Sequence, residues 1–272
     1  MPVSTEFRFP VIDAHIHLPL GDGRGHNWFP FTRSRADYFR YLEQVGVRTF
    51  VGFPHGPKKS GEPLADSLKR TNDLMLKFWR RKPGLVIPAA KAHPSEAAES
   101  IRQMQLARRE GVVFVGEFVT YGGSSVRYDD LGFEAICEAA NELGMILNCH
   151  LVEREEEPFE KLLRKYRKAS FVLAHLWDNR ELVKGKCALV KRNRNALVDL
   201  SGYGVDRLGI WKYVVETVGA EKVLWGSDYP INDPAIYLAR LATCRIKAAE
   251  KRKVAGGNVL RMLKERGAPL PK

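Results

Sequence analysis

In the stretch VIDAHIHLPL, residues 11–20, Asp13, His15 and His17 occupy alternate positions of an apolar, strand-like run. Side chains two apart leave an extended chain on the same face, so this alternation predicts that all three point one way. Two neighbouring imidazoles can hold a divalent ion, and a nearby carboxylate can fix an imidazole by accepting its second N–H. Two imidazoles are only part of a coordination shell, so the remaining ligands must come from elsewhere in the chain. Four residues qualify, each where an apolar run ends or is interrupted: Glu117 in VFVGEFV, His150 in MILNCHL, His175 in FVLAHL and Asp228 in VLWGSDYP. Within MILNCHL, Ile146, Asn148 and His150 should share a face while Cys149 points away. Imidazoles and carboxylates together suit zinc or a similar first-row divalent ion with positions left for water.

Residues this far apart in sequence need a scaffold that gathers them. Short β-rich runs at 11–17, 48–53, 85–90, 112–119, 145–151, 170–176, 196–201 and 223–228 alternate with helical patterns. Those patterns fall near 35–45, 65–81, 95–109, 129–143, 155–168, 178–192, 207–218 and 235–249. Eight β–α units in a chain of 272 residues predict an α/β fold, a (β/α)8 TIM barrel forming a single domain over 1–272. A doubly wound open sheet is the competing arrangement. Only the barrel brings all the strand ends to one mouth, where the candidate ligands would meet.

Composition narrows the setting. No apolar window reaches the length of a membrane span, and MPVSTEFRFP lacks the basic and apolar regions of a secretory signal. Cys137, Cys149, Cys187 and Cys244 are scattered, which suits a protein with reduced thiols in the cytoplasm. The net charge of +12 raises the question of nucleic acid. However, Arg80–Lys82, Arg108–Arg109, Arg164–Lys168 and Lys191–Arg194 all fall at predicted helix ends, opposite the proposed mouth. A small-molecule substrate is therefore favoured over nucleic acid, and no membrane partner is expected. Homo-oligomerisation is compatible with the sequence but not specified by it.

The ordered set D-x-H-x-H, Glu117, His150, His175 and GSDYP resembles the amidohydrolase superfamily. GGNVLRML at 256–263 resembles the segment that ends the barrel in its amidohydrolase-related branch, while GE on the fourth strand is more similar to the TatD branch. This resemblance implies that His15, His17 and Asp228 hold a first ion and that Glu117 bridges to a second held by His150 and His175. Zinc and a pair of ions are the expected cofactors. Lys91 lies on the third strand and is assigned no carbamate. The activity implied is metal-dependent hydrolysis of an ester, lactone, amide or phosphoester, with metal-activated water and Asp228 as general base and acid. The alternatives are a mononuclear zinc decarboxylase of the aminocarboxymuconate-semialdehyde type and a TatD-like deoxyribonuclease. Asp13 is expected to orient a ligand imidazole. His55, His93, Arg24, Tyr121, Trp177 and Tyr203 follow strands or lie in the long first loop, and are expected to contact substrate. Asn258 is expected to cap the last helix.

Overall fold

Every strand expected from the apolar runs is present, and each is followed by helix. The structure, a computed structural model, describes residues 7–21, 29, 31–56, 59–120, 126–152 and 155–271. Strands β1 (Ile12–Pro19), β2 (Thr49–His55), β3 (Val86–Ala90), β4 (Phe114–Val119), β5 (Ile146–His150), β6 (Ser170–Ala174), β7 (Ala196–Leu200) and β8 (Val223–Trp225) form one sheet in sequence order. All neighbouring pairs are parallel. The crossover helices are α1 (Arg35–Gln44), α2 (Leu64–Arg81), α3 (Ala97–Arg109), α4 (Leu131–Leu143), α5 (Glu156–Lys165), α6 (Arg180–Arg192), α7 (Ile210–Val218) and α8 (Pro234–Thr243). Two shorter helices follow, α9 (Ala248–Arg252) and α10 (Asn258–Glu265). Local chemistry sets several of the starts. Asp130 accepts from the amides of Gly132 and Phe133, Asn179 from Glu181 and Leu182, and Asp233 from Ala235 behind Pro234.

The barrel closes just past the end of β8. The Asp228 amide donates to the His15 carbonyl at 2.9 Å, and the His17 amide donates to the Tyr229 carbonyl at 2.8 Å. Ile16 and Tyr229 form a parallel bridge at the same place. This seam thus fixes three of the expected ligands relative to one another through the backbone.

The interior is filled in two levels. Ile12, Val51, Ile87, Phe114, Ile146 and Leu224 pack below the site with Val259, Met262 and Leu263 of α10, which plugs the lower end of the barrel. A second apolar layer lies between strands and crossover helices. The basic clusters lie in the last turns of α2, α3, α5 and α6, away from the mouth. Arg108 donates to the carbonyls of Leu143 and Arg266, and Arg192 pairs with Glu160, as expected where cations meet helix C-termini. Among the described residues, no helix is long and apolar enough to cross a membrane.

Three local expectations need correcting. The eighth strand stops at Trp225, so Gly226, Ser227 and Asp228 already belong to the turn that leaves the barrel. The helix expected over 235–249 ends at Thr243, because Cys244 turns to extended backbone. Asn258 caps nothing: its backbone is helical, and its buried amide donates to the carbonyls of Ala220 (2.7 Å) and Val223 (2.8 Å), tying α10 to the base of β8. Asn258→Ala leaves two carbonyls without their donor and should cost about 2–4 kcal/mol of unfolding free energy. Urea denaturation reads this directly. A cost within about 0.5 kcal/mol, ordinary for surface substitutions, would show the tie to be dispensable.

Candidate metal centre

Two interruptions of the strand register aim the candidate ligands. The β1–β2 register shifts between Asp13 and Ile16, and the β4–β5 register shifts between Val115 and Phe118. A bulge re-aims the side chains that follow it. On β1, Ile12 and Ala14 fill the lower interior, yet His15 and His17 also face the centre above them. On β4, Phe114 and Glu117 both point inward, three residues apart, with Gly116 between them at φ 125°. A Cβ on Gly116 would lie 2.6 Å from the Asn148 carbonyl, so this strand crossing tolerates only glycine.

The expected ligands converge. His17 Nε2 lies 2.7 Å from Asp228 Oδ1, and His15 Nε2 lies 3.8 Å from the same oxygen. Glu117 Oε1 is 3.4 Å from both His150 Nδ1 and His175 Nε2. Its other oxygen faces His15 at 3.7 Å and His17 at 3.8 Å. The expected ligands form two donor groups, His15–His17–Asp228 and Glu117–His150–His175, and a third, His15–His175–Asp199, joins them; within each the candidate ligand atoms lie within 4.8 Å of one another. All six residues are buried.

The groups behind the ligands differ from expectation. Among the described residues Asp13 makes no hydrogen bond or ion pair to an imidazole: the bulge takes it out of line with His15 and His17. It accepts instead from the backbone amides of His15 and Ser227, both at 3.0 Å. Burial raises its carboxyl to about 7 in spite of those bonds. The imidazole-orienting carboxylate is Asp199 on β7, whose Oδ2 lies 3.0 Å from His15 Nδ1. Asp199 Oδ1 also accepts from the His175 amide at 3.1 Å and from the Ser201 hydroxyl, and that hydroxyl meets His175 Nδ1 at 2.9 Å. One carboxylate therefore supports an imidazole from each donor group. The alternation Leu197, Asp199, Ser201 along an otherwise apolar strand was the available signal. Asn232, also unforeseen, donates to Asp228 Oδ2 at 2.9 Å.

His55 stands behind His17, its Nε2 2.8 Å from His17 Nδ1, and so orients a candidate ligand. His93 accepts from the Ser95 amide and caps a short helical turn. Trp177 does reach the mouth, with its ring 5.6 Å from that of His150 and 5.9 Å from that of Tyr203, which is largely exposed. Arg24 and Tyr121 lie outside the described residues.

Backbone strain gathers at the same place. Among the described residues, the non-glycine positions with positive φ are His175 (60°), Trp177 (69°) and Asp228 (65°). Such conformations persist where surrounding contacts impose them. At His175 the contacts are the Asp199 carboxylate on its amide, the Ser201 hydroxyl on its ring and the buried Lys186 ammonium, 2.9 Å from its carbonyl. Gly202 completes the fit, since a Cβ there would fall 2.2 Å from His175 Nδ1.

The electrostatics fit a divalent cation. Burial pushes the Glu117 carboxyl up, but His15, His150 and His175 outweigh it and hold the group well below the usual range. Burial is likewise outweighed at Asp228 by His175 and His17, and at Asp199, which His15 helps hold down to about 2. Three ionised carboxylates thus share one buried cage. On His15 burial favours the neutral ring, but Glu117 and Asp199 dominate and favour a proton. Concentrated buried negative charge is unfavourable unless compensated, and a metal ion would compensate it while displacing that proton. Among the described residues His15 Nε2 and Glu117 Oε1 are buried without a hydrogen-bond partner, which suits ligand atoms.

Known proteins carry the same architecture. A 2,6-dihydroxybenzoate decarboxylase from Rhizobium superposes with a TM-score of 0.69 at 14% identity, covering 94% of this chain and 99% of its own. A dihydroxybenzoic acid decarboxylase from Polaromonas sp. JS666, solved with bound manganese, gives 0.70 at 14% identity over 94% and 97%. A 5-carboxyvanillate decarboxylase from Sphingomonas paucimobilis gives 0.62 at 18% identity over 83% and 82%. Among curated proteins no sequence matches the chain. The sequence profile of the amidohydrolases matches residues 12–264, and with that match over nearly its whole length the chain belongs to the amidohydrolase family.

Proposed function

We propose that this amidohydrolase-family protein is a metal-dependent decarboxylase of a small aromatic or unsaturated carboxylic acid. The observation that carries this reading is the buried cage of imidazoles and ionised carboxylates at the barrel mouth, in a fold shared with decarboxylases of aromatic acids over most of the chain. His15, His17 and Asp228, with Glu117, His150 and His175 facing them, would hold a divalent ion, whose positive charge would favour an acidic substrate and electron withdrawal from the carbon that loses its carboxylate. The protein's own residues do the rest. Asp228, pinned between His17 and Asn232, moves the proton. It takes a proton from water or a substrate hydroxyl and delivers it to the carbon as the carbon–carboxylate bond breaks and CO2 leaves. The bond's electron pair stays on the carbon and forms the new C–H bond, so the step balances with CO2 and one proton. Trp177 beside His150, with Tyr203 next to it, offers aromatic surface for a flat substrate.

A second reading, hydrolysis of an ester, lactone, amide or phosphoester, is favoured by one observation: the Glu117 carboxylate faces both donor groups. A carboxylate in that position suits a pair of ions. The two readings separate in one experiment. Protein loaded with manganese or zinc is offered dihydroxybenzoates and 5-carboxyvanillate in one series and esters, lactones and phosphoesters in the other. CO2 release from at least one acid, abolished by a chelator and restored by adding the metal back, is the expected result. Turnover confined to the second series would replace the decarboxylase reading with the hydrolytic one.

A further inference from the structure

Lys91 has a place in the barrel that neither the metal centre nor the fold explains. It directly follows β3, where Ile87 and Ala89 face the barrel interior while Val86, Ala90 and Ala92 pack in the outer layer. Alternation therefore turns the Lys91 side chain inward, above Ala89. The β3–β4 register pairs Ala90 with Val115, which puts Lys91 level with the start of the bulge that delivers Glu117.

The backbone there is held by a dedicated contact. The buried Asn72 side chain accepts from the Lys91 amide at 2.7 Å and donates to its carbonyl at 2.9 Å. The ammonium, in contrast, takes no hydrogen bond or ion pair among the described residues. Burial lowers it from the ordinary lysine range, and the Glu117 carboxylate opposes that effect from beyond ion-pair distance. A half-buried ammonium with its donors uncommitted, on a fixed strand end facing the site, is costly unless something anionic is there to receive it.

We infer that Lys91 is a substrate-binding residue whose ammonium receives the carboxylate or another anionic oxygen of a small organic acid at the barrel mouth. The inference rests on the decarboxylase reading for the identity of the ligand, and it makes the site selective for acids over neutral rings of the same shape. Lysine suits this role as a compact, strongly charged donor on a flexible stem.

The test is calorimetric binding to the manganese-loaded protein, with benzoate and 2,6-dihydroxybenzoate as charged probes and phenol and resorcinol as their neutral counterparts. Wild-type protein should prefer the charged member of each pair. Lys91→Met should weaken the charged probes by about 10- to 100-fold, the range of one charge-assisted hydrogen bond. It should leave the neutral probes within about 2-fold, and Lys91→Arg should recover most of the loss. Thermal melting and bound-metal content of Lys91→Met should match wild type. If Lys91 serves only as a counter-charge to Glu117, those two measurements shift and the preference for acids persists, which overturns the inference. No preference for acids in the wild type overturns it as well. Binding that depends on Lys91 without CO2 release would instead count against the decarboxylase reading and leave Lys91 in its role.

Discussion

Asp228→Asn should lower kcat by about 10³-fold, with folding and melting temperature little changed. The size follows from what is lost. A positioned acid–base group contributes roughly 10²- to 10⁴-fold to a proton transfer, and asparagine cannot carry the proton. Asparagine is also the informative choice for the backbone. Residue 228 sits at φ 65°, a left-handed conformation that asparagine and aspartate accept more readily than other side chains. Its oxygen can still accept from His17 or from Asn232, which flank the group at 2.7 and 2.9 Å. Alanine would remove both contacts and confuse strain with chemistry. The measurement is steady-state turnover of the metal-loaded variant, normalised to bound metal. A loss under about 10-fold, far below the range for general acid–base catalysis, would move the proton-carrying role to another residue, with His175 next in line, 4.0 Å from Asp228 Oδ2.

How much of this site could be read from sequence depends on what periodicity can and cannot register. The strand ends were legible because apolar runs bounded by helical patterns repeat eight times, and barrel geometry then forces His150, His175 and Asp228 to one mouth. Ile146, Asn148 and His150 share a face as alternation requires, with Cys149 in the outer layer. Alternation fails where a residue is inserted. The β1 bulge takes Asp13 out of line with His15 and His17, so the role expected of Asp13 falls to Asp199 from another strand. The β4 bulge works the other way, since without it Phe114 and Glu117 could not both face inward; Gly116 was the visible mark of that irregularity. The partners of His55 and His93 were beyond reach for a different reason. A strand-end position says where a side chain begins, whereas its hydrogen bonds depend on neighbours far away in sequence, such as His17 for His55. The break after Thr243 turns on the backbone of Cys244, a residue with no strong preference to announce it.

Asp199 carries the second large expected effect, because it is the point where the two donor groups meet. Its carboxylate lies 3.0 Å from His15 Nδ1 and accepts from the amides of His175 (3.1 Å) and Ser201 (3.2 Å), besides the Ser201 hydroxyl that supports the His175 ring. Asp199→Ala leaves these donors buried with no acceptor and removes the counter-charge of His15. Breaking a buried charged pair from one side costs about 3–5 kcal/mol, so the alanine variant should show a loss of that size in chemical denaturation. Asp199→Asn separates stability from function. It fills the same space and keeps one acceptor oxygen, so most of the fold energy survives. However, the negative charge that would make the His15 ring a better metal ligand is gone. Replacing a group that supports a metal ligand lowers metal affinity by about 10- to 100-fold, and that is the expected shift in a metal titration of the asparagine variant. The position of Asp199 adds a sharper requirement. Since Asp199 shares a donor group with His15 and His175, one from each of the other two groups, weakening at Asp199 should reach both, whereas His55→Ala, behind His17, should act on the first. Wild-type metal affinity in Asp199→Asn would mean that the His15 ring is held by packing against Phe53 and His175, and that the carboxylate serves the fold rather than the site.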